Sequence, residues 1–277
     1  MRKEIYRMED GGAWALLRRT RLCHLASVDP AGAPVLRALH PVLLGEAVYF
    51  HGAPAGEKLS CIGQRAVVCA EEVIAEIPSY FIDPERACPA TTYYESAQAH
   101  GVIEAVSDET EKAAALQALM VKYQPEGGHA PIDPGDPRFA AIYRKAVAGV
   151  LVLRLRIDYI DGKLKLGQNR GPEDLARVLE GLWKRGQPGD ARAVDRLAHA
   201  LRRTHPAQTL PPFLHAPEGA LLFTTLGADD AAEAVALLRD AYWNDWVDAD
   251  TLARAHVNSS AWVGAREQRA SGAGMRE

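Results

Sequence analysis

Between residues 22 and 157 the chain returns again and again to short apolar runs, each stopped by a turn signal, and that spacing leaves few architectures open. Residues 22–28 alternate loosely and end at Asp29-Pro30-Ala31-Gly32, a sequence suited to a tight turn. Residues 34–44 read as the partner strand, Gly45-Glu46 as the next turn, and residues 47–51 as a third strand. Residues 66–70, 91–106 and 146–157 follow, the last with Val and Leu alternating against Arg154 and Arg156. Strands at spacings of roughly 8–15 residues with few helices between them predict a fold mainly β with α, a closed or partly closed antiparallel barrel.

Helical signals sit between and after these runs. Asp10 can cap a helix over residues 13–19, which ends in the basic Arg18-Arg19-Thr20-Arg21. The acidic stretch 107–111 suits the start of a helix through residues 112–122, and the polar residues 124–137 read as a surface loop. Residues 173–184 and 191–203 are amphipathic helices, and residues 206–217 are proline-rich. The expected organisation is a barrel domain over 1–172, a helical extension over 173–205, a linker over 206–218, and a small α/β segment over 219–277.

Composition narrows the function classes. Of 277 residues, 48% are hydrophobic and 25% charged, and the net charge is −4, so no global basic field recruits nucleic acid or an anionic membrane. No apolar stretch approaches the roughly 18–20 residues of a membrane span, and Met1-Arg2-Lys3-Glu4 has no signal-peptide core behind it. Cys23, Cys61, Cys69 and Cys88 lack paired spacing and read as buried thiols of a reducing cytoplasm, and the histidines show no metal-ligand spacing. The expectation is a cytoplasmic protein without a metal.

The densest chemical signal lies at residues 47–59. A strand ends in His51, a loop of small residues follows (Gly52-Ala53-Pro54-Ala55-Gly56), and Lys58 opens the next apolar segment, read as a short helix over 58–62. Glycines at 52 and 56 permit backbone angles that turn amide N–H groups toward an anion, and Lys58 adds a point charge suited to phosphate. The same residues also suit an ordinary polar turn.

In order and spacing, several motifs resemble one family. These are Leu22-Cys23-His24-Leu25-Ala26, Pro34-Val35-Leu36-Arg37-Ala38-Leu39, Val48-Tyr49-Phe50-His51 with Gly56-Glu57-Lys58-Leu59, Tyr93-Tyr94-Glu95-Ser96 leading to Gly101-Val102-Ile103-Glu104, and Glu111-Lys112. Residues 10–170 are similar to the FMN-binding split-barrel proteins related to pyridoxamine 5′-phosphate oxidase, most closely the Nim-like (nitroimidazole-resistance) branch. Lys165-Leu166-Gly167-Gln168-Asn169 also resembles the Lys-x-Ser-Gln-Asn segment of FMN-binding transcriptional regulators of the same fold. The resemblance implies a homodimer with FMN in a groove at the subunit interface. Arg37, Ala38, Leu39 and His40 would run along the flavin, mostly through backbone contacts, and Lys58 would hold its phosphate. Ser96 would approach the cofactor from a neighbouring strand, His51 would stand beside it as the candidate catalytic residue, and Gln168 and Asn169 would close the site. Two positions depart from the pattern: Glu95 stands where many Nim-like sequences have arginine, and a carboxylate there would repel a phosphate; Gly167 replaces the serine.

The resemblance implies an FMN-dependent oxidoreductase acting on a small molecule, or alternatively a non-catalytic flavin- or ligand-binding regulator. No matching set of basic residues near the end of the barrel is found for a second phosphate, which argues against pyridoxamine phosphate itself. The C-terminal segment, with Tyr242-Trp243, Leu252-Ala253-Arg254-Ala255 and Asn258-Ser259-Ser260-Ala261-Trp262, resembles the opening of a GNAT acetyltransferase, truncated and without acetyl transfer.

Overall fold

A computed structural model describes residues 4–8, 11–185 and, beyond these, 190, 193, 194, 196 and 197. The expected strands form, and three of them are longer than their apolar runs. They are β1 (Cys23–Val28), β2 (Pro34–Leu39), β3 (Val42–Leu44), β4 (Ala47–Gly52), β5 (Arg65–Ile77), β6 (Thr91–Ala105) and β7 (Leu151–Lys165). Together they make one curled seven-stranded sheet in the order β2-β1-β5-β6-β7-β4-β3, a half-barrel of the expected class. Helix α1 (Gly12–Arg19) precedes it, α2 (Glu109–Tyr123), α3 (Phe139–Ile142) and α4 (Arg144–Gly149) lie between β6 and β7, and α5 (Pro172–Arg185) follows.

The chain divides into two compact units, one of Met1–Glu72 with Glu95–Leu164, the other of Val73–Tyr94 with the chain from Lys165 onward. In the first unit, alternation along the strands sends every second side chain inward. Cys23 and Leu25, Val48 and Phe50, Ala97, Ala99 and Ile103, and Leu153 and Leu155 meet Leu16 and Leu17 of α1 in one core. The opposite face of β4 and β7 is also covered, because Ala47, Tyr49 and Val152 pack under Ala115 and Leu119 of α2. On that face Arg154 pairs with Glu104 (2.8 Å) and Glu111, and Tyr49 Oη donates to Glu111 Oε1 (2.8 Å). Asp108 caps α2 by accepting from the Glu111 N–H at 2.8 Å.

In the second unit, Leu175, Val178, Leu179 and Leu182 of α5 are buried, and Arg185 forks onto Asp190 at 2.6 and 2.9 Å. Arg170 donates to the Pro89 carbonyl at 2.6 Å, which ties the segment after β7 to the loop before β6.

Four expectations are corrected. The run 34–44 is two strands, broken at His40-Pro41, because Pro41 has no N–H to give to a ladder. The run 146–157 opens as helix: Arg144, Lys145 and Ala146 favour α4, which ends at Gly149, and β7 starts only at Leu151. The N-cap of α1 is Gly11, with φ 85° and no capping side chain, and Asp10 lies outside the described residues. All four cysteines are free, but Cys88 is exposed and Cys69 half-buried, so only Cys23 and Cys61 are buried thiols. The linker over 206–218 and the acetyltransferase-like segment over 219–277 also lie outside the described residues.

Gly101 of β6 marks the closest approach in the sheet. A Cβ there would overlap the Arg156 carbonyl oxygen of β7, whereas one at Gly149 would meet nothing within 4 Å. Gly101→Ala is therefore expected to destabilise the protein by about 3 kcal/mol, while Gly149→Ala leaves stability unchanged or slightly raised. Chemical denaturation of the two variants checks this contrast.

Candidate anion and cofactor site

β4 carries the first functional side chain to its position. His51 is paired across the ladder with Val152 of β7, and alternation puts it on the face of Ala47 and Tyr49, away from the Val48–Phe50 core. The chain then loops through Gly56, whose φ of 93° is the left-handed conformation expected of it, into a single 3-10 turn, Glu57–Cys61. That turn brings Lys58 back over the end of β4. A Cβ at Gly52 would overlap the Lys58 ammonium nitrogen and lie 3.2 Å from Cε. The role of Gly52 is thus space for the lysine chain rather than a positive φ. Among the described residues Lys58 makes no hydrogen bond or ion pair, and its side chain is half-buried.

His40 completes the group. It follows β2 at the His40-Pro41 break and sets its ring edge-on to Tyr123, with centroids 5.3 Å apart and planes at 76°. Tyr123 is fastened in turn: its hydroxyl lies 2.8 Å from the Arg21 carbonyl and 3.1 Å from that of Pro41, and Arg21 stacks 5.1 Å above its ring. Lys122 donates to the Thr20 carbonyl at 2.6 Å and to that of Pro41 at 2.8 Å. Burial, the largest cause, pushes the Tyr123 phenol up to about 12 and the Lys122 ammonium down to about 8.

The electrostatics identify what the group attracts. His51 is held below its ordinary pKa, first by the water stripped from it and then by the charges of His40 and Lys58. The charges that act on it are all cationic. His40, His51 and Lys58 thus act on one another as three cationic or cationisable groups near the end of β4, a combination whose charge favours an anion.

A family model for pyridoxamine 5′-phosphate oxidase matches residues 9–164. The chain belongs to this family. No curated protein matches the sequence. Among solved structures, the chain is similar to the FAD and heme binding protein of Mycobacterium smegmatis, at 23% identity over 62% of this chain and 80% of that one, with a TM-score of 0.48. The flavocytochrome Anf3 of Azotobacter vinelandii is 20% identical over 62% of this chain and 75% of its own, with a TM-score of 0.47. A candidate 5-nitroimidazole antibiotic resistance protein of Bacteroides thetaiotaomicron is 19% identical over 57% of this chain and 85% of that one, with a TM-score of 0.44.

The remaining sequence candidates in this pyridoxamine 5′-phosphate oxidase family member fall in other places. Arg37, Ala38 and Leu39 lie on β2, the edge strand of the sheet, with Arg37 and Ala38 exposed and Leu39 half-buried against the core. Arg37 folds back along its own strand and donates to the Leu36 carbonyl at 2.7 Å. Ser96 lies far from His51 within one chain. Val106 N–H donates to the carbonyl of Val152, the residue opposite His51, and Ser96 stands ten residues earlier on β6, roughly 30 Å along the strand. Gln168 and Asn169 follow the end of the family match and belong to the second unit. Gln168 is buried, and its side-chain oxygen accepts from the Leu166 N–H at 2.7 Å, so it is used in shaping its own loop.

Both departures from the family pattern have a structural reason. Gly167 has φ 74°, and a Cβ there would overlap the Tyr93 phenol oxygen, so serine does not fit. Glu95 sits on the buried face of β6 with its carboxylate on the Arg19 guanidinium, so its charge is matched and turned away from solvent. Sequence reasoning missed Arg21 and Tyr123 as supports of His40; their only signal was a basic residue just after α1 and an aromatic one at the end of α2. Arg19→Met leaves Glu95 buried without its cation and is expected to cost about 3 kcal/mol. The double change with Glu95→Leu should recover at least half of that loss in urea titrations.

Proposed function

We propose that the protein is a flavin-binding oxidoreductase that takes FMN, with the cofactor phosphate at His40, His51 and Lys58. The observation that carries this reading is the Lys58 ammonium, folded over Gly52 without a counter-ion among the described residues and acting on His51. Cationic and cationisable groups gathered at one strand end favour an anionic ligand, which supports reading them as a binding site. Membership of the pyridoxamine 5′-phosphate oxidase family supports the choice of flavin, and two of the similar structures are described as a flavocytochrome and as an FAD and heme binding protein. A bound flavin would supply the electron chemistry toward a small-molecule substrate.

The chain's own residues bind and orient. Edge strand β2, which carries Arg37, Ala38 and Leu39, and His40 just beyond it would run along the flavin ring. His51, held below its ordinary pKa, is neutral at pH 7 and can take up a proton when the phosphate binds. A homodimer would cover this edge, where Leu36 is 61% and Val28 44% exposed.

The purified protein is expected to retain the visible bands of oxidised flavin after FMN loading and gel filtration. Lys58→Ala should weaken FMN binding by at least tenfold without lowering the melting temperature, since its ammonium holds no other group. A colourless protein that ignores FMN overturns the reading. Binding should also strengthen as pH falls from 7.5 to 5.5, because the anion favours protonated His51 and binding takes up a proton. His51→Gln should flatten that slope; an unchanged slope in this variant would mean that His51 is not the group that takes up the proton.

A further inference from the structure

On the α2 side of the first unit, a groove of about 660 Å³ opens between α2, β3, the last turn of α1 and the loop 132–134. Its walls are apolar: Val42 and Leu43 of β3 form the floor, Ala114, Ala118 and Val121 of α2 one side, and Ile132 and Pro134 the other. Val121 is 60% exposed, a large apolar side chain left facing this space. The volume lies in the range of small-molecule sites, and a groove of this make-up holds a ligand through its apolar body and a few polar groups.

Charge is distributed unevenly along it. At one end stand Arg18 and Lys122. Among the described residues Arg18 makes no ion pair or hydrogen bond, and Lys122 spends two of its three N–H donors on the Thr20 and Pro41 carbonyls, leaving one for a ligand. Asp133 lines the groove away from this pair, and its side chain already accepts from the Gly135 N–H at 2.9 Å. The loop bearing Asp133 is fixed next to Gln117, which accepts from the Ile132 N–H at 2.8 Å. Gln117 and Lys122 are five residues apart, about 7.5 Å along the helix. Between Lys122 and Ala114 the apolar side runs for eight residues, about 12 Å.

We propose that this groove binds a small amphipathic acid, its carboxylate at Arg18 and Lys122 and its apolar tail, roughly eight to ten carbons long, along α2 toward Ala114. Charge complementarity fixes the orientation: the head group avoids Asp133 and meets the open guanidinium. The lowered pKa of Lys122 agrees with this, since a carboxylate beside it restores the charged form. The site is separate from the His40–His51–Lys58 group and does not depend on the flavin reading. An acid bound there would touch the lysine that holds Pro41, the residue next to His40, and so would bear on the edge of the anion site.

Decanoate, kept below its micelle threshold, and decanol are the probes, titrated into the full chain by calorimetry with the melting temperature followed in parallel. Decanoate is expected to bind with a micromolar Kd and raise the melting temperature, and decanol to bind at least tenfold more weakly. Arg18→Gln should reduce decanoate to the decanol level, and Val121→Asp, which sets a carboxylate on the apolar wall, should abolish binding; both positions are exposed, so both variants fold. FMN affinity should be unchanged in Arg18→Gln, which separates this result from any failure of the flavin proposal. The inference is overturned if neither probe binds, if acid and alcohol bind alike, or if both variants bind decanoate as the parent does. Saturation by an apolar peptide with no decanoate binding would also overturn it, and would assign the groove to a protein partner.

Discussion

Burial of β4 on both faces is the constraint on which the site depends. Val48 and Phe50 are locked into the barrel core while Ala47 and Tyr49 are locked under α2, so neither a one-residue slip nor a rotation of the strand is tolerated. Six consecutive pairings to β7, from Ala47 with Arg156 to Gly52 with Leu151, hold the register. His51 is the first residue to leave this enclosure, and its direction is therefore set by residues that never touch a ligand. The Arg154–Glu104–Glu111–Tyr49 network serves the same end. It matches the charge of Arg154 under α2 and ties the helix to the sheet.

The anion site follows from that fixed strand end and from what converges on it. Folding places Lys58 against Gly52 and brings His40 near His51, a collection of like charges that opposes folding rather than driving it. The protein accommodates it through exposure and through His51, which stays neutral at ordinary pH. Fastening of the His40-Pro41 break does the rest. Lys122 and Tyr123, the last two residues of α2, both bind the Pro41 carbonyl, so the helix that covers β4 also sets the corner from which His40 projects.

Much of this was legible in the sequence because it is local. Residues 91–106 and the helix through 112–122 carry unbroken periodicity, and the structure has β6 and α2 there. The apolar run 146–149 misled because Ala and Val serve helix and strand alike over one turn, and only the packing of Val147 against Phe139 decides the matter. His51 and Lys58 could be picked as a pair, since a strand end and a short loop join them. His40 was legible as part of a strand, but its coupling to His51 depends on where the chain turns after Pro41. Ser96 was named through the family resemblance alone, and its place ten residues before Val106, whose N–H meets the residue opposite His51, follows from strand pairing that no local pattern shows. Glu95 likewise looked like a misplaced charge until Arg19, 76 residues earlier, was seen against it.

Discrimination between FMN and riboflavin, which differ only in the phosphate, tests the central claim most directly. Fluorescence titration of the purified chain with each should show FMN bound at least a hundredfold more tightly, the equivalent of about 2.7 kcal/mol from one charge-assisted phosphate site. Equal affinities, or a preference for riboflavin, would contradict the account and leave His40, His51 and Lys58 without the role assigned to them.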